Sequence, residues 1–441
     1  MRGTDELVTT SVAHHRLHHS PAQVFGSIAD GLSATSSGCV AARASINAAM
    51  MATGRAAKGW TLRHAGLTKA VARSIAMMEH LVPSSGTVVF TSYPDLEDNV
   101  VALLRDGHAQ RHRVTVLVGD PVVARARARS LGLQVRIVRR NSARGLWAFL
   151  RSSVCVSTHG LFGSRPRPGA KQHLGLWHGE YIKATGRVLG EPTHQFDRMM
   201  VSGGLSRLIR SAETGMDPLH IDVTGVPRTD LMRAQVDAPE RPIVLWAPTY
   251  RASVVGSARR DGDAASFDAF VHSALEALDP VLTLHDAELW LRLHPSAVDQ
   301  VETDSRRVVV ADDARLMEQG LTLYAALGRT VALVTDYSSL WVDYLHLDRP
   351  VIGAVPDLDD YAADRGLLLR PYDWWFPGPI CRSVEELVAA VQDVLAGADT
   401  EAEHRRLISS ILLEDQDVRP TDALWRQIAS AVAHSSSTAP R

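Results

Sequence analysis

Hydroxyl and acidic side chains follow a short apolar run in the second half of the chain, in a pattern that suits phosphate binding. The run Val331–Val334 is typical of a buried strand, and directly after it come Thr335, Asp336, Tyr337, Ser338 and Ser339. If a helix begins here, its free backbone N–H groups and its dipole attract anions, and the serine hydroxyls add donors. The alternative is an ordinary helix cap, in which Thr335 or Asp336 closes the helix start without a ligand.

Two basic side chains follow other predicted strands in the same half. Arg251 comes after the strand Ile243–Trp246, and His294 ends the run Leu289–Leu293. Pro295 cannot continue a central strand, so the chain must turn at His294. A guanidinium and an imidazole at one sheet edge could hold a diphosphate and stabilise charge as a bond breaks. A surface ion pair for Arg251 and a hydrogen-bonded structural role for His294 are the alternatives.

In the first half, a histidine and a lysine surround a tight turn. His178 and Gly179 follow the strand Leu174–Trp177, and Lys183 comes shortly after. Imidazole titrates near the working pH of a general base, glycine permits close approach to the backbone, and a lysine can meet phosphate as a point charge. The alternative is a histidine that caps the strand and a lysine in solvent. His159 follows another strand but lacks a charged companion.

The elements that must position these residues alternate from Thr87 onward, since short β-rich runs are each followed by a helical stretch. This alternation predicts parallel sheets flanked by helices. In such sheets ligands bind beyond the carboxyl ends of the strands, which is where all of these polar clusters fall. The sequence therefore predicts an α/β fold of the GT-B type, with two doubly wound, Rossmann-like domains facing a cleft. A single α/β domain with a long insertion is the alternative. The predicted strands are Val88–Phe90, Val114–Val118, Val154–Val156, Leu174–Trp177, Ile243–Trp246, Leu289–Leu293, Val331–Val334 and Val351–Ala354.

Changes in pattern along the chain predict four segments. These are a helical N-terminal arm at 1–82, two Rossmann-like domains at 83–236 and 237–434, and a tail at 435–441. The polar, proline-bearing stretch 237–242 marks the link between the domains. In the arm, apolar residues recur at helical intervals with basic residues between them. Such an arm packs on a neighbouring domain or lies along a membrane surface.

Composition excludes several classes of protein. The 441 residues are 45% hydrophobic and 22% charged, as in globular proteins. The 47 Lys and Arg against 49 Asp and Glu argue against a basic nucleic-acid binder. Three widely spaced cysteines give no disulfide or zinc pattern, and no apolar run approaches the roughly 18 residues of a membrane span. No signal peptide is recognisable, so we expect a cytoplasmic protein.

One local charge feature survives this balance. Between Asp120 and Glu180 the chain has no acidic residue, while arginines recur throughout the stretch. A face built from it would suit phosphate-rich polymers or anionic lipid headgroups. The alternative is a solvated helix face paired with acidic residues elsewhere in the fold.

An ordered series of motifs now stands out. In chain order it comprises Trp177-His178-Gly179 with Lys183, Gly225–Asp230, Pro248–Arg251, His294-Pro295, and Thr335–Ser339 with Asp343. This series, over about residues 85–395, resembles the CDP-glycerol glycerophosphotransferases, the primases and polymerases of teichoic acids and related polyol-phosphate capsules. One departure is that the family usually has Thr-Pro after its His-Gly, whereas this chain has Glu180-Tyr181. The shape and charge beside the acceptor are therefore expected to differ.

The resemblance implies a transferase that moves a polyol phosphate, foremost glycerol phosphate, from a CDP-polyol to a hydroxyl of a lipid-linked acceptor or growing polymer, releasing CMP. The acceptor would bind to 83–236 and the nucleotide donor to 237–434. His178 and His294 are then the catalytic candidates. The donor and diphosphate contacts would be Thr249, Arg251, Thr335, Asp336, Ser338 and Ser339. The acceptor or phosphate contacts would be Gly179, Lys183 and Arg228.

The expected partners are CDP-glycerol or a related CDP-polyol, a lipid-linked polymer acceptor and an anionic membrane surface, with no nucleic acid. The enzyme would be peripheral on the inner face of the cell membrane. No spaced carboxylate cage stands out, so no cofactor is implied and a divalent metal stays open. Two rival hypotheses are a GT-B nucleotide-sugar glycosyltransferase or epimerase, and a non-enzymatic membrane-surface scaffold. Glycerol and ribitol, and primase and polymerase, are not distinguished by the sequence.

Overall fold

The structure is a computed structural model, and the chain divides into the units Met1–Leu81 and Val82–Arg441. In the first unit, residues 73–75 and 77–81 are helical, and the rest of the predicted arm lies outside the described residues. The second unit carries both sheets. The residues that the structure describes are 73–75, 77–161, 171–189, 196–234, 239–249, 251, 264–293, 305–414 and 419–437.

Seven parallel strands form the first sheet, in the spatial order β3-β2-β1-β4-β5-β6-β7. Strands β1 and β4 are neighbours at its centre, where the strand order reverses. Their residues are almost entirely buried, as expected for a parallel sheet covered on both faces. The strands are β1 (Thr87–Thr91), β2 (Arg113–Val118), β3 (Arg136–Arg139), β4 (Ser152–Ser157), β5 (Gln172–Gly175), β6 (Arg198–Val201) and β7 (Ile221–Val223).

Six parallel strands form the second sheet, in the order β10-β9-β8-β11-β12-β13. Here the order reverses between β8 and β11, so the ends of these two strands form the switch point at which ligands bind in doubly wound folds. The strands are β8 (Ile243–Ala247), β9 (Glu288–Leu291), β10 (Val308–Val310), β11 (Ala332–Thr335), β12 (Val351–Ala354) and β13 (Ile380–Cys381). The two parallel sheets confirm the predicted α/β class.

Helices connect the strands, and several of them begin at side-chain caps. Glu97 accepts a hydrogen bond from the backbone N–H of Asn99, and Ser383 and Glu386 form a reciprocal capping box. The helices of the second unit are α1 (Asp98–Arg105), α2 (Pro121–Ser130), α3 (Ala143–Arg151), α4 (Gly204–Thr214), α5 (Arg228–Arg233), α6 (Ala264–Leu284), α7 (Asp313–Glu318), α8 (Leu323–Leu327), α9 (Leu340–Tyr344), α10 (Leu358–Arg365), α11 (Tyr372–Trp375), α12 (Val384–Leu395), α13 (Ala402–Leu412) and α14 (Pro420–Ser437). In the described part of the chain, no helix has the length and apolar character needed to cross a bilayer.

Helix α14 packs against the first sheet, although the sequence pattern groups it with the second half. The buried indole of Trp425 meets the ring of Phe90 edge-on, with centroids 5.8 Å apart, and its Nε1 donates to the carbonyl of Leu103 at 3.2 Å. The main hydrophobic cluster likewise includes residues of both halves, such as Val100 of α1 and Trp341 of α9. The two sheets therefore share core packing.

Candidate active site

The turn after β5 is held by buried side chains from two other elements. Trp177 has a left-handed backbone conformation, with φ 54°, which is strained for a bulky residue and needs support from its surroundings. Its carbonyl accepts a 3.5 Å hydrogen bond from Asn99 Nδ2, and the carbonyl of Gly179 accepts one from Arg210 Nη2. The Arg210 guanidinium also lies 4.9 Å from the Trp177 ring centroid. These contacts fix the backbone on both sides of His178, whose side chain is exposed.

Aromatic rings from three loops meet at this turn. The imidazoles of His159 and His178 are stacked, with centroids 4.2 Å apart and planes 8° apart. The ring centroids of Trp177 and His178 are 4.8 Å apart. The rings of Tyr93 and His159 meet edge to face, with centroids 5.8 Å apart. These residues follow β5, β4 and β1, so they share the carboxyl edge of the first sheet.

The His178 turn meets the second half at Ser339. A Cβ placed on Gly179 would lie 2.6 Å from Ser339 Oγ, so a side chain here would require the Ser339 hydroxyl to turn away. Ser338 Oγ accepts a 3.3 Å hydrogen bond from the N–H of Leu340, at the start of α9. Lys183 pairs with Leu367 in an antiparallel bridge. The structure thus brings the predicted Gly179, Lys183 and serine positions to one junction between the halves.

The predicted Thr249, Thr335 and Asp336 tie the ends of β8 and β11 together. The carboxylate of the fully buried Asp336 accepts hydrogen bonds from the backbone N–H of Thr249, at 2.9 and 3.0 Å, and from the Thr249 hydroxyl, at 2.6 Å. Thr335 Oγ1 donates to the carbonyl of Ala247 at 2.7 Å. These hydrogen bonds fix the ends of β8 and β11 at the switch point of the second sheet. A direct contact of Thr335 or Asp336 with a diphosphate stays a prediction.

Arg251 lies in a buried ion-pair network. Its Nη1 is 2.7 Å from Asp336, and its Nε and Nη2 bind Asp357 at 2.8 and 3.1 Å. The guanidinium is 3.8 Å from the Phe267 ring centroid and 5.0 Å from that of Tyr337. These contacts match the ion-pair alternative, but in the interior and not at the surface. A diphosphate contact of Arg251 stays a prediction.

Arg228 is also buried, and it joins the two halves. Its Nη2 donates to Asp343 of α9 at 2.8 Å, while Glu97 lies 3.7 Å from its Nη1. Tyr324 of α8 donates its hydroxyl to the same Asp343 carboxylate at 2.5 Å. Burial raises the pKa of Glu97 to about 7, although the charge of Arg228 opposes the shift. Asn99 completes the network by accepting the N–H of Arg228 at 3.0 Å.

The comparisons with known proteins decide the family. The model of the CDP-Glycerol:Poly(glycerophosphate) glycerophosphotransferase family matches residues 74–430. The chain belongs to this family. Among curated relatives, a teichoic acid ribitol-phosphate primase of Bacillus spizizenii is 28% identical over 49% of this chain and 54% of its own length. A teichoic acid glycerol-phosphate transferase of Staphylococcus aureus is 26% identical over 50% and 62%. The chain thus matches about half of the primase.

A solved structure extends the likeness to the fold. The wall teichoic acid polymerase TagF, in its H548A variant, has a TM-score of 0.65 at 17% identity, over 88% of this chain and 98% of that chain. At this identity the match shows the fold, and it confirms the predicted GT-B-like architecture of the chain.

Glu180, where this chain departs from the pattern of its family, faces the start of α4. Ser202 and Ser206 donate to its carboxylate at 2.8 and 3.3 Å. Burial raises the pKa of Glu180, and the nearby charge of Asp343 adds to the shift. The carboxylate is therefore hydrogen-bonded within the first half, beneath the turn.

His294, the second catalytic candidate, lies outside the described residues, as does its neighbour Pro295.

Among the described residues, the group that could hold a metal is Asp106, His108 and Asp422, at the far end of α1 from Glu97. Arg419 pairs with both carboxylates, so the cluster is already neutralised in part. Asn99, Arg210 and the stacking of His159 on His178 were not predicted from the sequence. The adjacency of β4 and β5 was the signal that could have paired His159 with His178.

Proposed function

We propose that this glycerophosphotransferase moves a polyol phosphate, foremost glycerol phosphate, from a CDP-polyol to a hydroxyl of a lipid-linked acceptor or growing teichoic-acid-like polymer. The observation that carries the proposal is the contact between the Gly179 turn and Ser339. It puts an exposed imidazole, His178, beside the hydroxyl-rich loop after β11, at the switch point of the second sheet. Family membership supplies the reaction class.

The proposed step is an in-line displacement at the phosphorus that carries the polyol. The acceptor oxygen forms a new bond to this phosphorus while the bond to the bridging oxygen breaks, and CMP leaves with that oxygen. His178 takes the proton of the acceptor hydroxyl as general base. Ser338, Ser339 and Lys183, with His294, hold the negative charge on the phosphates.

Two buried ion pairs, Arg251–Asp336 and Arg228–Asp343, stabilise the loops that take part in the proposed step. Arg251 and Asp336 fix the loops after β8 and β11, which we propose bind the donor diphosphate. Arg228 and Asp343 fix α5 against α9, and α9 follows the serines directly. Their role in the proposal is to hold both sides of the junction in register.

We further propose that the enzyme works at an anionic membrane surface on the cytoplasmic side. On α2, Val122, Arg125 and Arg129 recur at helical spacing and are exposed, with Val122 73% exposed. On the edge strand β3, Arg136 and Arg139 are exposed too. Within the described part of the chain, no ion pair includes these four arginines. Unpaired arginines beside exposed aliphatic groups suit anionic headgroups.

The test is a transfer assay with the full chain. Purified protein is given CDP-glycerol or CDP-ribitol with a short synthetic lipid-linked acceptor, and CMP release and product mass are measured. We expect CMP release with one of the donors and its loss in His178→Ala, while the melting temperature stays near that of the wild type. Product mass identifies the polyol and the number of units added.

The rival hypotheses have their own outcomes in a thermal-shift panel. Stabilisation by UDP-sugars without stabilisation by any CDP-polyol would replace the proposal with a nucleotide-sugar enzyme. No stabilisation by any nucleotide, together with binding to vesicles, would favour the scaffold.

A further inference from the structure

We propose that His159 is a positioning residue for His178, holding the plane of its ring by stacking so that its nitrogens face the cleft. The proposal rests on the proposed function for its catalytic readout. It starts from the stacked pair of imidazoles at the His178 turn, whose centroids are 4.2 Å apart and whose planes differ by 8°.

The His159 ring is itself well anchored. Its Nδ1 is 2.8 Å from the hydroxyl of Thr158, which is fully buried at the end of β4. The same hydroxyl accepts the backbone N–H of Tyr93 at 3.2 Å, which ties it to the loop after β1. Because β1 and β4 are adjacent central strands, this ring is anchored to the centre of the first sheet.

Stacked rings cannot exchange a proton directly, since imidazole nitrogens donate and accept in the plane of the ring. With planes 8° apart, the nitrogens of His178 point past His159 and not toward it. His159 therefore acts on His178 through its face. The stack restricts the rotamers open to the exposed His178 side chain, and each departure from the attacking geometry costs rate. The Trp177 ring, 4.8 Å from His178, adds a second neighbour for the same ring.

The test compares two substitutions with a matched control. His159→Phe keeps a planar ring of similar size, whereas His159→Ala removes the stack. His112→Ala is the control, because His112 stacks on Trp425 with centroids 5.2 Å apart and planes 11° apart, at the opposite, amino-terminal end of β2. It removes the same kind of contact away from the site.

We expect His159→Ala to lower kcat about 10- to 100-fold, because small misplacements of a catalytic group have effects of this size. The KM for the CDP-polyol should stay within about twofold, since that donor site belongs to the second half. His159→Phe should retain most of kcat, and His112→Ala should match the wild type in both constants. A kcat for His159→Ala close to that of the control, or one for His159→Phe as low as that of His159→Ala, would overturn the proposal.

A second measurement separates this proposal from the proposed function. Hydrogen–deuterium exchange at the imidazole C2 of His178, followed by mass spectrometry, reports how accessible the ring is and needs no turnover. We expect faster exchange in His159→Ala and exchange near the wild-type rate in His159→Phe. If the wild type transfers nothing from any CDP-polyol, the proposed function fails, but the exchange measurement still tests whether His159 restrains the His178 ring. Unchanged exchange in His159→Ala would overturn the stacking role.

Discussion

Asp343→Asn should cost about 3–5 kcal/mol of unfolding free energy, because it leaves the Arg228 guanidinium buried without its main counter-charge. The two side chains are 2% and 1% exposed, and they lie 2.8 Å apart. Two other carboxyl groups act on Arg228, namely Glu97, 3.7 Å away, and Glu180, whose pKa is also raised by burial. Burial raises the pKa of Glu97 to about 7, so near neutral pH it is only partly ionised and compensates poorly.

The assay is urea unfolding of the full chain, followed by tryptophan fluorescence and by far-UV circular dichroism. The two transitions must coincide for a single free energy to be defined. Asp359→Asn is the control, since its pair with Arg382 is exposed and should contribute less than about 1 kcal/mol. The double variant Arg228→Met/Asp343→Leu removes both charges and should recover much of the loss.

Two results would refute this account of the network. One is a loss for Asp343→Asn no larger than that for Asp359→Asn. The other is a double variant destabilised by the sum of its two single substitutions, because that sum would mean that the charges do not interact.

Three further predictions follow from the site and its surface. Gly179→Ala should lower kcat/KM about 10- to 100-fold, because its Cβ would lie 2.6 Å from Ser339 Oγ and would turn this hydroxyl away from the phosphate that we propose it binds; steady-state kinetics would show it. Glu97→Gln should gain on the order of 2–3 kcal/mol relative to wild type as the pH rises from 4.5 to above 7, measured by urea unfolding at pH 5 and 8. The sign follows from the raised pKa, since the stability that protonated Glu97 contributes is complete below pH 4.5 and is lost as the pH passes 7. Arg125→Gln/Arg129→Gln should lower partitioning onto anionic vesicles about tenfold or more, without changing binding to neutral vesicles, in a flotation assay.

The central strands were predictable from the sequence because burial on both faces demands continuous apolar runs. Strand β12 has the predicted bounds, and β5 ends two residues before the predicted Trp177 because the chain turns left-handed there. The edge strand β3 was missed, since its four residues begin and end with arginine and only pairing with β2 extends them. Strand β6 was missed because methionine has little β preference.

The location of the site could be predicted from the sequence, but most of its side-chain contacts could not. The rule that ligands bind beyond the carboxyl ends of strands put His178 and Ser339 at facing edges, and the Gly179 contact joins them. The partners of the buried arginines were not predictable. Asp357 is 106 residues from Arg251 within the second half, and Asp343 is 115 residues from Arg228 in the other half, so only tertiary packing could pair them.

The crossing of α14 onto the first sheet has a consequence for how the protein is made. Trp425 covers Phe90 of β1, and it is synthesised more than three hundred residues after Phe90. On the ribosome, all seven strands of the first sheet are therefore synthesised before the helix that covers one face of the sheet at Phe90. A fragment ending before α14 should expose that face and associate through it.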